Sequence, residues 1–593
     1  MILMCGIVGY IGKNNALPKL IKGLKRLEYR GYDSAGIAYF KNKEIILKKS
    51  VGRIANLEEK INLQDESSIG IGHTRWATHG KVVEENSHPH QVGNITLVHN
   101  GIIENYQPLK KELQEKGYSF KSETDTEVAC AYLDYLLEKN KEIPFTEILK
   151  QAANTFIGSF AFVILVKGID NQLFVLKRES PLVIGIGNEE FYVASDFQAY
   201  LEETKEYFIL EDNDICQIEN NALHLYREGK EVPYKTKVLE DNVSSPSLNN
   251  NKHYMLKEIK EQSILISKWN QIYLEKEKEL PDITKYKRID IIACGTAYHA
   301  GLIGKYLIEK NTDFEVNVYV ASEYRYQKVH LNKESLVIAI SQSGETADTL
   351  SCVKLAKKNN AKTLGIINVY NSSIARICDE VIYTNAGIEV SVASTKAYTS
   401  QIYILSLLAQ EFSPQKIDKN TYTTLPQKMG KLIEKDYTKI GEQLITKKDV
   451  FFLGRRIDYI SMLEGSLKLK EITYIHSEAF PAGELKHGPI SLIEEKTPVI
   501  SLITDKTTAL KTVSNIKEVK ARGAYVILII KEGIVPTLDK TIYDEIITLP
   551  PSDDYTMPII SIIPLQLIAY YTALLKGVDI DKPRNLAKSV TVE

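Results

Sequence analysis

The feature that most constrains this chain is an alternation of apolar runs with helix-like segments, repeated twice after about residue 285. The runs "RIDIIACG", "SLVIAISQSG" and "KTLGIINV" are followed by "TAYHAGLIGKYLIEK", "ETADTLSCVKLAKKN" and "SIARICD". Strands this apolar must be buried on both faces, and a strand returned by a helix runs parallel to its predecessor. The pattern therefore specifies α/β doubly wound sheet. A second round follows: "DVFFLGR" then "ISMLEGSLKLKEIT", "TPVISLIT" then "ALKTVSNIKEVKARG", and "AYVILII". Shared order and spacing predict two related domains in tandem, at 254–420 and 440–582, the second without the serines that follow the middle strand of the first.

Residues 5–238 are written differently. Short β-like runs such as "ITLVHNGII", "SFAFVILVKG", "QLFVLKR" and "FYVASD" are interrupted by helical stretches near 15–28 and 124–139. This predicts an α+β domain rich in sheet. The Ser-, Asn- and Pro-containing stretch "LEDNVSSPSLNNNKHY" lacks an apolar period and marks 239–253 as a linker. Residues 583–593 form a closing tail, and a chain of 593 residues is long enough for this many cores.

Lys+Arg 74 against Asp+Glu 76 leaves a net charge of -2, so no uniform field attracts nucleic acid or an anionic membrane, and neither is expected as a partner. The six cysteines form no CxxC pair and no cluster with His at metal-ligand spacing, which predicts a reduced, cytoplasmic chain with no metal and no cofactor. His88 and His90 are spaced like a metal pair but lack a third ligand, and are expected to pack within a loop. The apolar stretch at 557–575 is broken by Pro558, Pro564, Gln566 and two tyrosines, so a buried core helix is expected there rather than a membrane span.

Two places carry candidate chemistry on residues alone. In "SLVIAISQSGETADTL" a buried strand runs into Ser341, Gln342, Ser343, Gly344 and Thr346 just before a helix. Unpaired helix N–H groups, hydroxyls and a glycine at a parallel strand's end suit a phosphate; capping of the helix by Ser and Thr is the alternative. Gly295 and Thr296 in "ACGTAYHAG" repeat the geometry. Glu464, Lys468 and Glu471 share one helical face by i,i+4 and i,i+3 spacing, a pattern equally that of a solvated salt-bridged surface. At the other end, "CGIVGYIG" places Cys5 behind only "MILM".

The ordered set "CGIVGYIG", "LEYRGYDSAG", "GHTRWATHG", "VHNGIIEN", "SETDTEV", "SQSGETADTL" and "PRNLAKSVTVE" resembles the glucosamine-6-phosphate synthases, the glutamine:fructose-6-phosphate aminotransferases, over nearly the whole chain. The resemblance implies an α+β N-terminal-nucleophile (Ntn) hydrolase domain followed by two sugar-isomerase (SIS) domains. It implies conversion of fructose 6-phosphate and glutamine to glucosamine 6-phosphate and glutamate, the first step of hexosamine synthesis, by a homodimer that carries ammonia internally. Cys5 would be the nucleophile with its own α-amine as base, which requires residues 1–4 to be absent from the working enzyme. Asn100 and Gly101 would form the oxyanion hole, although Asn-Gly alone reads as a hairpin turn. Arg75 and Asp125 would hold the glutamine carboxylate and ammonium, with Trp76 as gate and Thr78 and His79 in the same loop; a surface ion pair is the alternative for Arg75 and Asp125. Gly295, Thr296, Ser341, Gln342, Ser343 and Thr346 would bind the sugar phosphate. Glu471 would move the C1/C2 proton, Lys468 would assist it, His487 would open the ring across a subunit interface, and Lys588 would form an imine with the open-chain sugar. Ala297 departs from the family pattern, which has serine there.

Overall fold

The computed structural model describes residues 5–590 except 77–79, 239–247, 276–278, 311, 412 and 414–417. It divides into two compact units, Met1–Ser245 with Ser589–Glu593, and Pro246–Lys588. Most of the expected linker, at 239–247, lies outside the described residues, as do 591–593 of the tail.

In the first unit, two antiparallel sheets of eight and seven strands stack face to face, with helices on both outer surfaces. Alternation builds these layers. In the strand Gly6–Gly12, Ile7 and Ile11 face the core between the sheets, while Val8 and Tyr10 pack on the helix Ala16–Leu27. In Gly158–Val166, Ala161, Val163 and Leu165 face the same inter-sheet core, while Phe160, Phe162 and Ile164 face the helices Asp125–Lys139 and Phe145–Thr155. Strands buried on both faces lose the polar half of their alternation, which is why they read as continuous apolar runs.

The expected helices near 15–28 and 124–139 are present, and two more appear at Tyr106–Glu115 and Phe145–Thr155. The first of these buries only Leu109 and Leu113, too thin an apolar stripe to stand out in the sequence.

The second unit holds two parallel five-stranded sheets. The strands Arg288–Ala293, Val316–Val320, Ser335–Ser341, Lys362–Ile367 and Glu380–Tyr383 stand in spatial order second, first, third, fourth, fifth. The strands Asp449–Gly454, His476–Pro481, Pro498–Ile503, Tyr525–Lys531 and Glu545–Leu549 repeat that order. Each sheet therefore has a switch point between its first and third strands, where open α/β sheets bind ligands. A single apolar core runs through both halves.

The helix Met557–Lys576 is long and apolar enough to cross a membrane by composition, yet 83% of that apolar window is buried, and Leu565 lies against Gly465 of the helix Ile457–Thr473. Its one buried amide, Gln566, accepts from Gln262 Nε2 at 2.7 Å, and Gln262 in turn accepts from the Thr399 hydroxyl. Asp581 caps the helix Tyr254–Trp269, accepting from the Tyr254 and Met255 amides at 2.8 Å each. Replacing Gln262 by leucine strands Gln566 and Thr399 in an apolar core. Gln262→Leu is expected to cost on the order of 2–3 kcal/mol, seen in calorimetry as earlier melting of the C-terminal unit; an unchanged melting temperature would contradict a structural role for this chain of amides.

Candidate functional site

Four strands of the first unit leave the inter-sheet core at the same end, each with a polar residue. The residues that follow Ile7, Ile71, Val98 and Val193 on that face, two positions further toward that end, are Cys5, His73, Asn100 and Ser195. Alternation thus turns an apolar core into a polar cluster within one step along each strand. The Trp76 amide donates to Cys5 Sγ at 3.3 Å, and Asn100 Nδ2 donates to the Cys5 carbonyl oxygen at 3.0 Å. Burial pushes the Cys5 thiol up to about 11, against the opposing pull of the Trp76 amide and of Arg75. The chain as written has this cysteine's nitrogen in a peptide bond to Met4, so the site needs a proton acceptor before the thiol can attack at neutral pH.

Asn100 and Gly101 lie inside the strand Ile95–Ile103 rather than in a hairpin turn, which corrects the bland reading of that dipeptide. Gly101 takes φ +126°, and a β-carbon there would come within 2.1 Å of the Ser159 carbonyl oxygen, so the glycine sets a kink within the ladder. Arg75 ends the strand Ile69–Arg75 and is 3% exposed; Asp125 opens the helix Asp125–Lys139 and is 6% exposed. Both are too buried to be a surface pair. Asp125 Oδ2 accepts from the Ile103 amide at 2.8 Å, and burial lowers the Arg75 pKa against the nearby charges of Cys5, Asp33 and Asp125. Trp76 is buried edge-on to Tyr32 with ring centroids 5.1 Å apart. Thr78 and His79 lie outside the described residues.

His88 and His90 belong to a buried group of four imidazoles with His73 and His99. His73 stacks on His88 at 4.2 Å, and His90 meets His88 edge-on at 5.0 Å. Among the described residues no group of His, Cys, Asp and Glu is arranged to hold a metal ion. Burial lowers the pKa of all four, and His90 shares a hydrogen bond of 3.1 Å with the Thr124 hydroxyl.

In the second unit, the loop after Ser335–Ser341 folds on itself. Ser341 Oγ accepts from the Gly344 amide at 3.0 Å and lies 3.0 Å from Thr346 Oγ1; Ser343 Oγ accepts from the Glu345 amide at 3.2 Å. Gln342 is half-buried at the same turn. Gly344 takes φ +65°, and a β-carbon there would lie 1.9 Å from Ser372 Oγ. Thr346 occupies the N-cap of Ala347–Lys358 without a side-chain capping bond, so capping does not account for its hydroxyl. The carboxylate of Glu345 is occupied by the Ser373 amide at 2.7 Å.

On the neighbouring strand, Gly295 (φ +54°) starts the helix Gly295–Lys310, and Thr296 leads into a charged cluster. Thr296 Oγ1 donates to Glu464 Oε1 at 3.0 Å and accepts from Lys468 Nζ at 3.0 Å; Lys468 lies 2.6 Å from Glu471 Oε2 and 3.3 Å from Glu464. Glu464 and Lys468 have fully buried side chains, so this helical face is not a solvated surface. Helical spacing is the same in both cases; the packing of Ile457–Thr473 on Gly295–Lys310 makes the difference. His299, one turn after Thr296, shares a hydrogen bond of 2.7 Å with Glu464 Oε2. Burial would raise both carboxyls. Lys468, His299 and Thr296 outweigh it at Glu464, whose pKa is lowered, whereas burial wins at Glu471, whose pKa is raised. Lys468 is held charged by the two carboxylates against burial. One carboxyl is thereby favoured as the anion and the other as the acid, beside the same ammonium.

Lys588 forms a buried ion pair with Glu389 and donates to Ser394 Oγ at 3.0 Å. Burial alone would raise Glu389, but Lys588 and the amides of Thr395 and Ala397 hold it at about 2. Glu258, also buried, accepts from the Val390 and Ser391 amides at 2.5 and 3.3 Å; burial and the neighbouring Glu389 raise it to about 8. His487 is exposed in the turn Glu484–His487 and makes no hydrogen bond or ion pair among the described residues. The structure thus groups Cys5, Asn100 and Trp76 in one unit, and Thr296, Lys468 and Glu471 in the other, with His487 apart. Sequence reasoning passed over His73, Ser195, His299 and Glu389. Of these, His299 carried a signal in its i,i+3 spacing from Thr296, and His73 in its place within "GHTRWATHG".

A glutamine amidotransferase domain model matches residues 73–202, and a SIS domain model matches 282–410 and 443–576. With the thiol at the end of the inter-sheet core and the hydroxyl loop on the first of two doubly wound sheets, the molecule is an N-terminal-nucleophile amidotransferase joined to paired SIS domains. Proteins described as glutamine–fructose-6-phosphate aminotransferase (isomerizing) from Clostridium tetani and Caldanaerobacter subterraneus are each 46% identical to it, over 100% of both chains. The C-terminal domain of glucosamine-fructose-6-phosphate aminotransferase from Francisella tularensis superposes with a TM-score of 0.52 at 37% identity, covering 57% of this chain and 100% of that one. The chain belongs to the glutamine–fructose-6-phosphate aminotransferase (isomerizing) family.

Glu258 binds its proton more tightly folded than unfolded, so it withdraws stability as pH rises from the ordinary carboxylate range toward about 8. Glu258→Gln keeps an acceptor for the two amides and cannot ionise. Its melting temperature should exceed the parent's by a margin that widens between about pH 5 and about pH 8; a constant margin would refute the assignment.

Proposed function

We propose that this chain hydrolyses glutamine at Cys5, passes the ammonia internally to fructose 6-phosphate and isomerises the product, releasing glutamate and glucosamine 6-phosphate for hexosamine and UDP-N-acetylglucosamine synthesis. The observation that carries the reading is the buried Glu464–Lys468–Glu471 group tied through Thr296 to the sugar-phosphate crevice. A protein that only sensed a sugar phosphate would need the hydroxyl loop but not this acid–base set.

The thiol of Cys5 attacks the glutamine amide carbon, its proton passing to the terminal amine and on to the leaving ammonia; water then releases glutamate from the thioester. Asn100 Nδ2 and the Gly101 amide receive the oxyanion, Arg75 and Asp125 hold the substrate's α-carboxylate and α-ammonium, and Trp76 gates the site with Thr78 and His79. In the other half, Gly295, Thr296, Ser341, Gln342, Ser343 and Thr346 hold the phosphate. His487 of a second copy in a homodimer opens the ring, and Lys588 forms an imine at C2 that ammonia displaces. Glu471 then takes a proton from C1 and returns it to C2, which converts the ketose imine to the aminoaldose, while Lys468 stabilises the charge that develops. A dry passage keeps ammonia unprotonated on the way. The parts are a glutaminase at 5–238, a linker at 239–253, SIS domains at 254–420 and 440–582 and a tail at 583–593, working in the cytoplasm.

Glutamate release is expected to depend on fructose 6-phosphate, and Cys5→Ala should lower it by roughly 10³-fold or more. Undiminished amino-sugar output from that variant, or active protein shown by mass spectrometry to retain Met1–Met4, would refute the mechanism.

A further inference from the structure

Asn100 can act as the proposed oxyanion donor, in exchange for one of its present acceptors, only if its carboxamide turns nitrogen rather than oxygen toward Cys5. The two ends of a carboxamide differ in chemistry but hardly in shape, so something has to choose between them. His73 Nε2 lies 3.1 Å from Asn100 Oδ1 and 3.1 Å from the His99 carbonyl oxygen. A carbonyl oxygen can only accept, so Nε2 carries the hydrogen and the Asn100 atom facing it must be oxygen. At the other end, Nδ2 donates to the Cys5 carbonyl oxygen at 3.0 Å and to Ser195 Oγ at 2.7 Å, while Ser195 Oγ also accepts from the Ile7 amide at 2.8 Å. A reversed carboxamide would set its NH2 against the imidazole N–H and its oxygen against the Cys5 carbonyl.

We propose that His73 is a positioning residue of the glutamine-hydrolysing site, its Nε2–H holding the Asn100 carboxamide with the nitrogen toward Cys5. The proposal rests on the reading of Asn100 as an oxyanion donor. Two further observations agree with it. His73 is fully buried with Nδ1 lacking any hydrogen-bond partner and its ring stacked on His88, so the second nitrogen has no acceptor for a proton. Burial, with the nearby Arg75 charge, lowers its pKa to about 3, leaving a neutral ring with a single N–H throughout the working pH range. His73 also stands opposite Ile7 in the ladder that carries Cys5, so one pair of strands places both the nucleophile and the group that aims its oxyanion donor.

The test uses the full chain, glutamine turnover in the presence of fructose 6-phosphate, and alkylation of Cys5 by iodoacetamide, which has no oxyanion to stabilise. His73→Leu should lower kcat by on the order of 10²-fold with KM for glutamine and the alkylation rate little changed. His73→Gln, whose amide can reach the same place, should recover most of the loss, and His73→Asn, which is too short, should not. Added to Asn100→Ala, His73→Leu should cost almost nothing further, because it acts through Asn100. The proposal is overturned if His73→Leu costs as much in the Asn100→Ala background as alone, or if the Gln and Asn variants are equally impaired. Should His73→Leu fail to fold, the Gln and Asn pair decides the matter. Full turnover by Asn100→Ala alone would remove the oxyanion reading and this proposal together, whereas an impaired Asn100→Ala with an additive His73→Leu would remove only the latter.

Discussion

The sugar-converting half depends on one buried ammonium. Lys468 is enclosed between Glu464 and Glu471, with the Thr296 hydroxyl within hydrogen-bond reach. Taking such charges out of water costs several kcal/mol per ion in real proteins, and a well-packed apolar replacement is often as stable or more so. Stability is therefore a weak reason for the cluster to exist. Its two carboxyls are shifted in opposite directions by unequal partners: Glu464 has Lys468, Thr296 and His299, whereas Glu471 has mainly Lys468. The arrangement favours the anion at Glu464 and the proton at Glu471, and it does so across a helix pair drawn from the two doubly wound sheets.

Much of the fold was legible because burial on both faces writes itself into sequence. The central parallel strands after residue 285, such as Ser335–Ser341 and Pro498–Ile503, are buried throughout, and their repetition predicted two sheets; edge strands such as His476–Pro481, half exposed, carried no such run. Loss of legibility followed the opposite condition. The helix Tyr106–Glu115 buries two leucines and left no stripe to detect. Asn100 and Gly101 read as a turn because the dipeptide's local preference is strong, yet the antiparallel register from Ile95 to Ile103 overrides it, and the glycine is used for a kink within the strand. Glu464, Lys468 and Glu471 have the same spacing that a solvated face would have. No property of one helix tells which face another helix will cover, so the site became visible there only through resemblance to a family or through packing.

The same limit explains the residues that sequence reasoning missed. His73, Ser195 and Glu389 act on partners 27, 95 and 199 positions away, at separations that no local pattern records. What the strands do share is a rule of position: each polar member of the glutaminase cluster stands two residues from an inter-sheet apolar one, where the apolar core ends. Read across four strands at once, that rule locates the site; read along any single strand, it is one polar residue after an apolar run.

In the proposed reading, the loop after Ser335–Ser341 holds the phosphate with neutral groups alone. Ser341, Gln342, Ser343 and Thr346 are neutral donors, the loop's carboxylate at Glu345 is tied to the Ser373 amide, and Ala297 packs against the apolar core. A dianion held by hydroxyls, amides and a helix start needs no lysine at that end. The two lysines proposed to take part in the chemistry, Lys468 and Lys588, are both buried against carboxylates instead. An ammonium free in the crevice would compete for the phosphate and draw the sugar in backwards. Pairing each lysine with a buried acid removes that competition, so the proposed reading leaves the phosphate end to neutral groups and the reacting carbons to the charged cluster.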